Sequence, residues 1–246
     1  MTSARFGPGY LACLGLVVAI SSTAKADWYG GDPTLTTPVP TAAFYYAPSG
    51  NTHLALENFT WTAGVGAGIV DKVGGNYFSY APGNIPGNIT EAYWEIRSGA
   101  SVGNGGTLVA SGLVTPTISP TAFTVAGEPV TRVTADIPNF LLANGNYWFG
   151  MSLKDAPVNG WFVANTQGAS GIGGPLADGQ TLYHVIDSSN AVVVNYVDLA
   201  GTYGGDPSNH LDISYFVNEA PEPATAGLMA IAGIVLLGRR GRATRA

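Results

Sequence analysis

Charge, thiols and long apolar runs are all scarce in this chain. Charged residues make up 11% of its 246 positions, against about 25% in ordinary soluble domains. A helical architecture laced with Glu–Lys pairs is therefore disfavoured. The single cysteine, Cys13, excludes an intrachain disulfide and a multi-cysteine metal site. Apolar runs are too few and too short for a multi-span membrane protein. The histidines His53, His184 and His210 share no HxH or HxxxH spacing, so neither a zinc centre nor a catalytic triad is signalled.

The small charge is unevenly placed. Arg5, Lys25, Arg239, Arg240, Arg242 and Arg245 lie toward the two ends, leaving residues 27–220 with four basic against fifteen acidic side chains, a net of −11. Such a body repels phosphate backbones and anionic headgroups, so no nucleic-acid partner is expected. Divalent cations and neutral sugars remain open.

What the chain has is turn chemistry, with Gly 34 and Pro 16 separating short runs rich in Thr, Val, Tyr and Trp. This predicts strands between turns. In 92–97, Ala92, Trp94 and Ile96 fall on one face and Tyr93, Glu95 and Arg97 on the other, which predicts a core face and a wet face with an exposed Glu95–Arg97 pair. Residues 58–62, 76–80, 130–137, 146–153, 160–164, 182–187, 191–199 and 211–217 read as strands too, with a hairpin turn at Ser188-Ser189-Asn190. The expected fold is all-β, a β-sandwich of jelly-roll or immunoglobulin-like type over residues 27–218. An N-terminal signal helix and a short C-terminal transmembrane helix are expected to flank it.

Residues 1–26 carry Arg5, an apolar run from Tyr10 to Ile20, and then Ala24 and Ala26 in the small-x-small pattern of a signal-peptidase site before Asp27. At the other end, Pro221-Glu222-Pro223 precedes an apolar segment over 224–238 and a basic tail over 239–246. The prolines hold the tripeptide extended for a processing cleft. The apolar segment covers about 22 Å as a helix, short of the ~30 Å hydrocarbon core. Arg239, Arg240 and Arg242 would stay cytoplasmic and halt export.

The ordered motif, helix and arginine cluster of 219–246 resembles the PEP-CTERM sorting signal of Gram-negative bacteria. That resemblance implies handling by signal peptidase and then by an exosortase-type transpeptidase. It implies at least transient membrane contact through the C-terminal helix, and residence at the cell surface or in an exopolysaccharide matrix. The segments 93–99, 103–112 and 145–148, with 27–32, are similar to a group of exported bacterial domains with assorted C-terminal anchors. This second likeness bears on fold and export, not on chemistry.

A catalytic reading finds little to build on, and no catalytic residue is expected. Glu91 and Glu95 stand four positions apart, about 13 Å in a strand, too far for a glycosidase pair. Gly103-Asn104-Gly105-Gly106 lacks the Lys-Ser/Thr of a phosphate loop. Tyr29-Gly30-Gly31-Asp32-Pro33 recurs as residues 203–207, which is good turn chemistry. It also makes Asp32 and Asp206, with Asp212, candidate hard-oxygen ligands for calcium, the one cofactor considered. Trp28 and Trp161 lie beside turn-rich segments and are candidates for stacking on sugar rings. The expected function is a non-enzymatic surface or matrix protein, with a carbohydrate-binding module as the alternative.

Overall fold

The structure is a computed structural model that describes residues 28–33, 41–42, 45–46, 50–63, 66–79, 88–155, 160–175, 178–189, 191–199 and 212–218. The two expected end signals lie outside the described residues, with Ala24, Ala26, Pro221, Glu222, Pro223, Arg239, Arg240 and Arg242; so do Asp206 and the second copy of the repeated pentapeptide.

The described chain is all-β. Its strands in order are β1 (Trp28–Tyr29), β2 (Thr41–Ala42), β3 (Tyr45–Tyr46), β4 (Asn51–Trp61), β5 (Ala67–Phe78), β6 (Ile89–Ser98), β7 (Thr107–Val114) and β8 (Thr117–Val125). There follow β9 (Glu128–Ala143), β10 (Gly145–Asp155), β11 (Phe162–Val163), β12 (Asn165–Thr166), β13 (Thr181–Ile186), β14 (Val192–Asp198), β15 (Asp212–Ile213) and β16 (Tyr215–Val217). One antiparallel sheet runs β1-β16-β5-β11-β2, with β9 also on β5 and β8 on β9. The second runs β14-β13-β4-β10-β6-β7, with β3 on β4, and β12 pairs β15 in a small third sheet.

The two large sheets pack in a sandwich-like arrangement because alternation gives each an apolar face. Ala55, Phe59, Trp61, Trp94, Ile96, Phe149 and Met151 from one meet Val70, Val73, Tyr77, Val133, Tyr215 and Val217 from the other. Buried tyrosine hydroxyls need partners, and both find them across the gap. Tyr77 donates to the Met151 carbonyl at 2.9 Å, and the Tyr215 hydroxyl lies 3.2 and 3.1 Å from the carbonyls of Ala55 and Met151. In β5 the register slips between Val70 and Lys72, so that both Val70 and Val73 reach the core. Asn218 clamps that irregularity through Asp71 N–H, Lys72 N–H and the Ile69 carbonyl.

The sheet containing β4 also carries apolar residues on its other face. Asn195 Nδ2 donates to the Gly103 carbonyl and Gly103 N–H to the Tyr196 carbonyl, at 2.9 and 2.7 Å. The sheet therefore curls until β14 meets the loop that follows β6. Leu54, Leu56, Leu182, Ile186, Tyr196 and Ala100 form a second apolar cluster beneath that closure. The expected wet face of β6 is corrected accordingly: Glu95 is fully buried, and its pair with Arg97 is not a surface one.

Candidate functional site

An open groove of about 1000 Å³ lies across the end of β4 and the start of β10, walled by residues 99–100, 172–175, 178 and 180. Strand alternation sets Asn58 and Thr60 of β4 on one face with Trp148 and Asn146 of β10, and Thr62 follows directly after β4. Tyr147 has the opposite parity, its ring against Phe59 and its hydroxyl on the Ala143 carbonyl. Thr60 Oγ1 donates to Asn146 Oδ1 at 2.9 Å, and Thr60 N–H to the Gly174 carbonyl at 2.5 Å, so strand and loop are tied at the floor. Asn146 and Gln180 are exposed, Tyr147 and Trp148 half-buried. Among the described lining residues none is basic and Asp178 is the one acid. Amides, hydroxyls and the Trp148 ring without cationic charge suit a neutral polyol better than an anion.

Under one wall of the groove sits a carboxylate cluster. Glu57 in β4, Asp178 in the loop before β13 and Asp212 in β15 each bring one oxygen within 4.8 Å of the others. Glu57 shares the inward parity of Ala55, Phe59 and Trp61 and is 1% exposed. Its Oε2 accepts Ile213 N–H at 2.8 Å, whereas Oε1 is buried with no hydrogen-bond partner. Burial, followed by repulsion from Asp212, drives its pKa well above the ordinary carboxylate value. Asp212 accepts the N–H groups of Gly179 and Asp178 at 2.8 and 3.3 Å. Asp178 accepts Asn58 Nδ2 and Gln180 N–H at 2.9 and 3.0 Å.

No protein-family model matches this chain, and no curated protein matches it.

Of the residues singled out in the sequence, Asp212 joins this cluster. Asp32 is elsewhere engaged: its Oδ1 accepts the Tyr29 hydroxyl at 2.7 Å. Trp28 and Trp161 are corrected as sugar-stacking candidates, being 1% and 2% exposed. Trp28 stacks on Phe59 with ring centroids 5.1 Å apart, so an apolar partner already covers its face. Sequence reasoning missed Glu57, Asp178, Asn146 and Trp148. For Glu57 a signal existed, since an acid interrupts the Ala55, Phe59, Trp61 face of an otherwise clean strand.

A second polar group is buried under the curled sheet. Glu95 Oε1 lies 2.8 Å from His184 Nε2 and accepts Arg97 Nε at 2.7 Å, while the Tyr93 hydroxyl donates to Oε2 at 3.2 Å. Burial raises the Glu95 pKa, but hydrogen bonds and attraction from His184 and Arg97 outweigh it and hold the value below the ordinary one. An ionised carboxylate only accepts, so His184 Nε2 carries the proton in this pair. His184 stacks on Tyr196 at 4.4 Å, and Arg97 lies 5.2 Å over the same ring. These contacts join β6, β13 and β14 beneath the closure and leave His184 fully enclosed. The group fastens the curl of the sheet.

Proposed function

We propose that this chain is an exported bacterial surface or matrix protein whose sandwich-like domain holds a neutral glycan, without chemical conversion, in the groove beside β4 and β10. The observation that carries this reading is the groove itself. Its exposed amides at Asn146 and Gln180 and its half-buried ring at Trp148 combine hydrogen-bonding and stacking groups with no cationic side chain among the described lining residues. A sugar offers hydroxyls to the first and C–H faces to the second. The glycan-binding role passes from the enclosed Trp28 and Trp161 to these residues.

The terminal segments supply the location. The small-x-small site at Ala24 and Ala26, and the Pro221-Glu222-Pro223 motif with its apolar stretch and arginines, support export and exosortase-type sorting toward the exopolysaccharide layer. Within the sandwich class, a jelly-roll-like form is favoured over an immunoglobulin-like one, because β4, β5 and β6 alternate between the two large sheets.

A glycan array probed with the full chain tests the molecular claim. Neutral polysaccharides should be retained by the wild type and lost by Asn146→Ala and Gln180→Ala, both surface truncations. Absence of any neutral-glycan signal would refute it. Deleting residues 219–246 tests the address separately, and unchanged fate in the envelope would refute sorting by that segment.

A further inference from the structure

The carboxylates under the groove wall call for a counter-charge. Glu57, Asp178 and Asp212 come from a core-facing strand position, a loop and the small third sheet, so three separate parts of the chain converge there. Glu57 is 1% exposed, and a buried carboxylate is strongly disfavoured unless it is neutralised or paired.

A second observation is independent of that proximity. Glu57 Oε1 is buried without a hydrogen-bond partner, although its sister oxygen is fixed by the Ile213 N–H. The neighbouring Asn58 carries another buried oxygen without a partner, Oδ1, on an amide whose Nδ2 donates to Asp178. Native folds leave few such atoms, and an unmet oxygen beside two further carboxylates is what a cation ligand looks like without its cation.

We propose that Glu57, Asp178 and Asp212 bind a calcium ion that pins the loop before β13 and the strand β15 to β4. The dimensions agree. Ligand oxygens at about 2.3–2.6 Å from calcium lie at most about 5 Å apart across the ion, and the three oxygens here fall within 4.8 Å of one another. The donor set is all oxygen, which favours a hard cation over zinc or copper. Backbone N–H groups from Ile213, Gly179 and Gln180 orient the carboxylates yet leave each with lone pairs to spare. Calcium accepts six to eight ligands in irregular geometry, so waters entering beside the half-buried Asp178 can complete the shell. Magnesium demands a tighter octahedron and sheds its water reluctantly. The metal site stands whether or not the groove takes a glycan.

The test is calcium titration of the full chain after chelation, followed by calorimetry and thermal unfolding, with magnesium as the control. One calcium per chain is expected, with a dissociation constant near the ~0.1–1 mM of extracellular calcium modules. At a hundredfold excess the melting temperature should rise by about 5–10 °C. Glu57→Gln should weaken binding about tenfold or more while its calcium-free form melts no lower than the wild type, because a neutral amide replaces a buried charge. Asp178→Asn, at a half-buried loop position, should weaken binding too and serves if Glu57→Gln does not fold. No heat and no melting shift up to about 10 mM calcium, ten times the weak end of that range, would overturn the proposal. So would a shift that both variants retain, or one that magnesium reproduces in full.

Discussion

His184 Nε2 lies 2.8 Å from Glu95 Oε1, with both side chains fully buried on the face of β6 that alternation assigns to solvent. The Arg97 guanidinium completes the pairing from the same strand. Removing the carboxylate would strand a buried imidazole and a largely buried guanidinium in an apolar cluster. Glu95→Ala is therefore expected to destabilise the domain by about 3–5 kcal/mol, measured by urea unfolding at neutral pH. A loss below about 1 kcal/mol, the range of an exposed pair, would show that the network does not hold the curl.

Glu57 and Glu95 titrate in opposite senses. The Glu95 pKa is depressed in the fold, so its stabilisation is present above the unfolded carboxylate value and is lost as pH falls through the folded one. The Glu57 pKa is raised, so its protonated form suits the fold, and stability is lost as pH climbs from about 4.3 toward the raised value. In calcium-free buffer the difference in stability, wild type minus Glu57→Gln, should therefore fall with rising pH. The expected slope is about 1.4 kcal/mol per pH unit across that window. A flat difference between pH 4 and 8 would remove Glu57 as the source. With calcium present, apparent metal affinity should rise with pH as the ion displaces the proton.

Gly74 permits the close crossing of β5, β16 and β9. A Cβ there would stand 2.3 Å from Phe216 Cζ and 2.3 Å from the Val133 carbonyl oxygen. Backbone cannot move aside as a flexible side chain does, so Gly74→Ala should destabilise by about 1–3 kcal/mol or more. Thermal unfolding reads this directly. Gly66→Ala is a poor control because its backbone has φ +77°.

The all-β class was legible in turn chemistry and period-two runs: the segments 130–137 and 146–153 fall within β9 and β10, and 191–199 contains β14. The strands β7 and β8, which pair with β6 and β9 in different sheets, escaped notice because Thr107–Val114 and Thr117–Val125 bury little on either face. Alternation also misassigned Glu95, since it reports two faces but not that β14 returns to cover the second one. Trp28 and Trp161 stood out for their neighbouring turns, yet a Trp beside a turn still packs inward when a partner such as Phe59 offers a face. The acidic cluster had no local spacing to reveal it, because Glu57, Asp178 and Asp212 meet only through the pairing of β13 with β4 and of β12 with β15.

The groove is the centre of the account, and the most direct measurement is binding of the full chain to extracellular polysaccharide purified from its native host. Wild type is compared with the Asn146→Ala, Gln180→Ala double variant over a range of salt. Saturable binding that changes little with ionic strength is expected, because no basic residue is among the described lining residues. The double variant should bind about tenfold more weakly or worse at an unchanged melting temperature. Equal binding by both proteins, or binding that salt abolishes, would contradict the assignment of the groove as a neutral-glycan site.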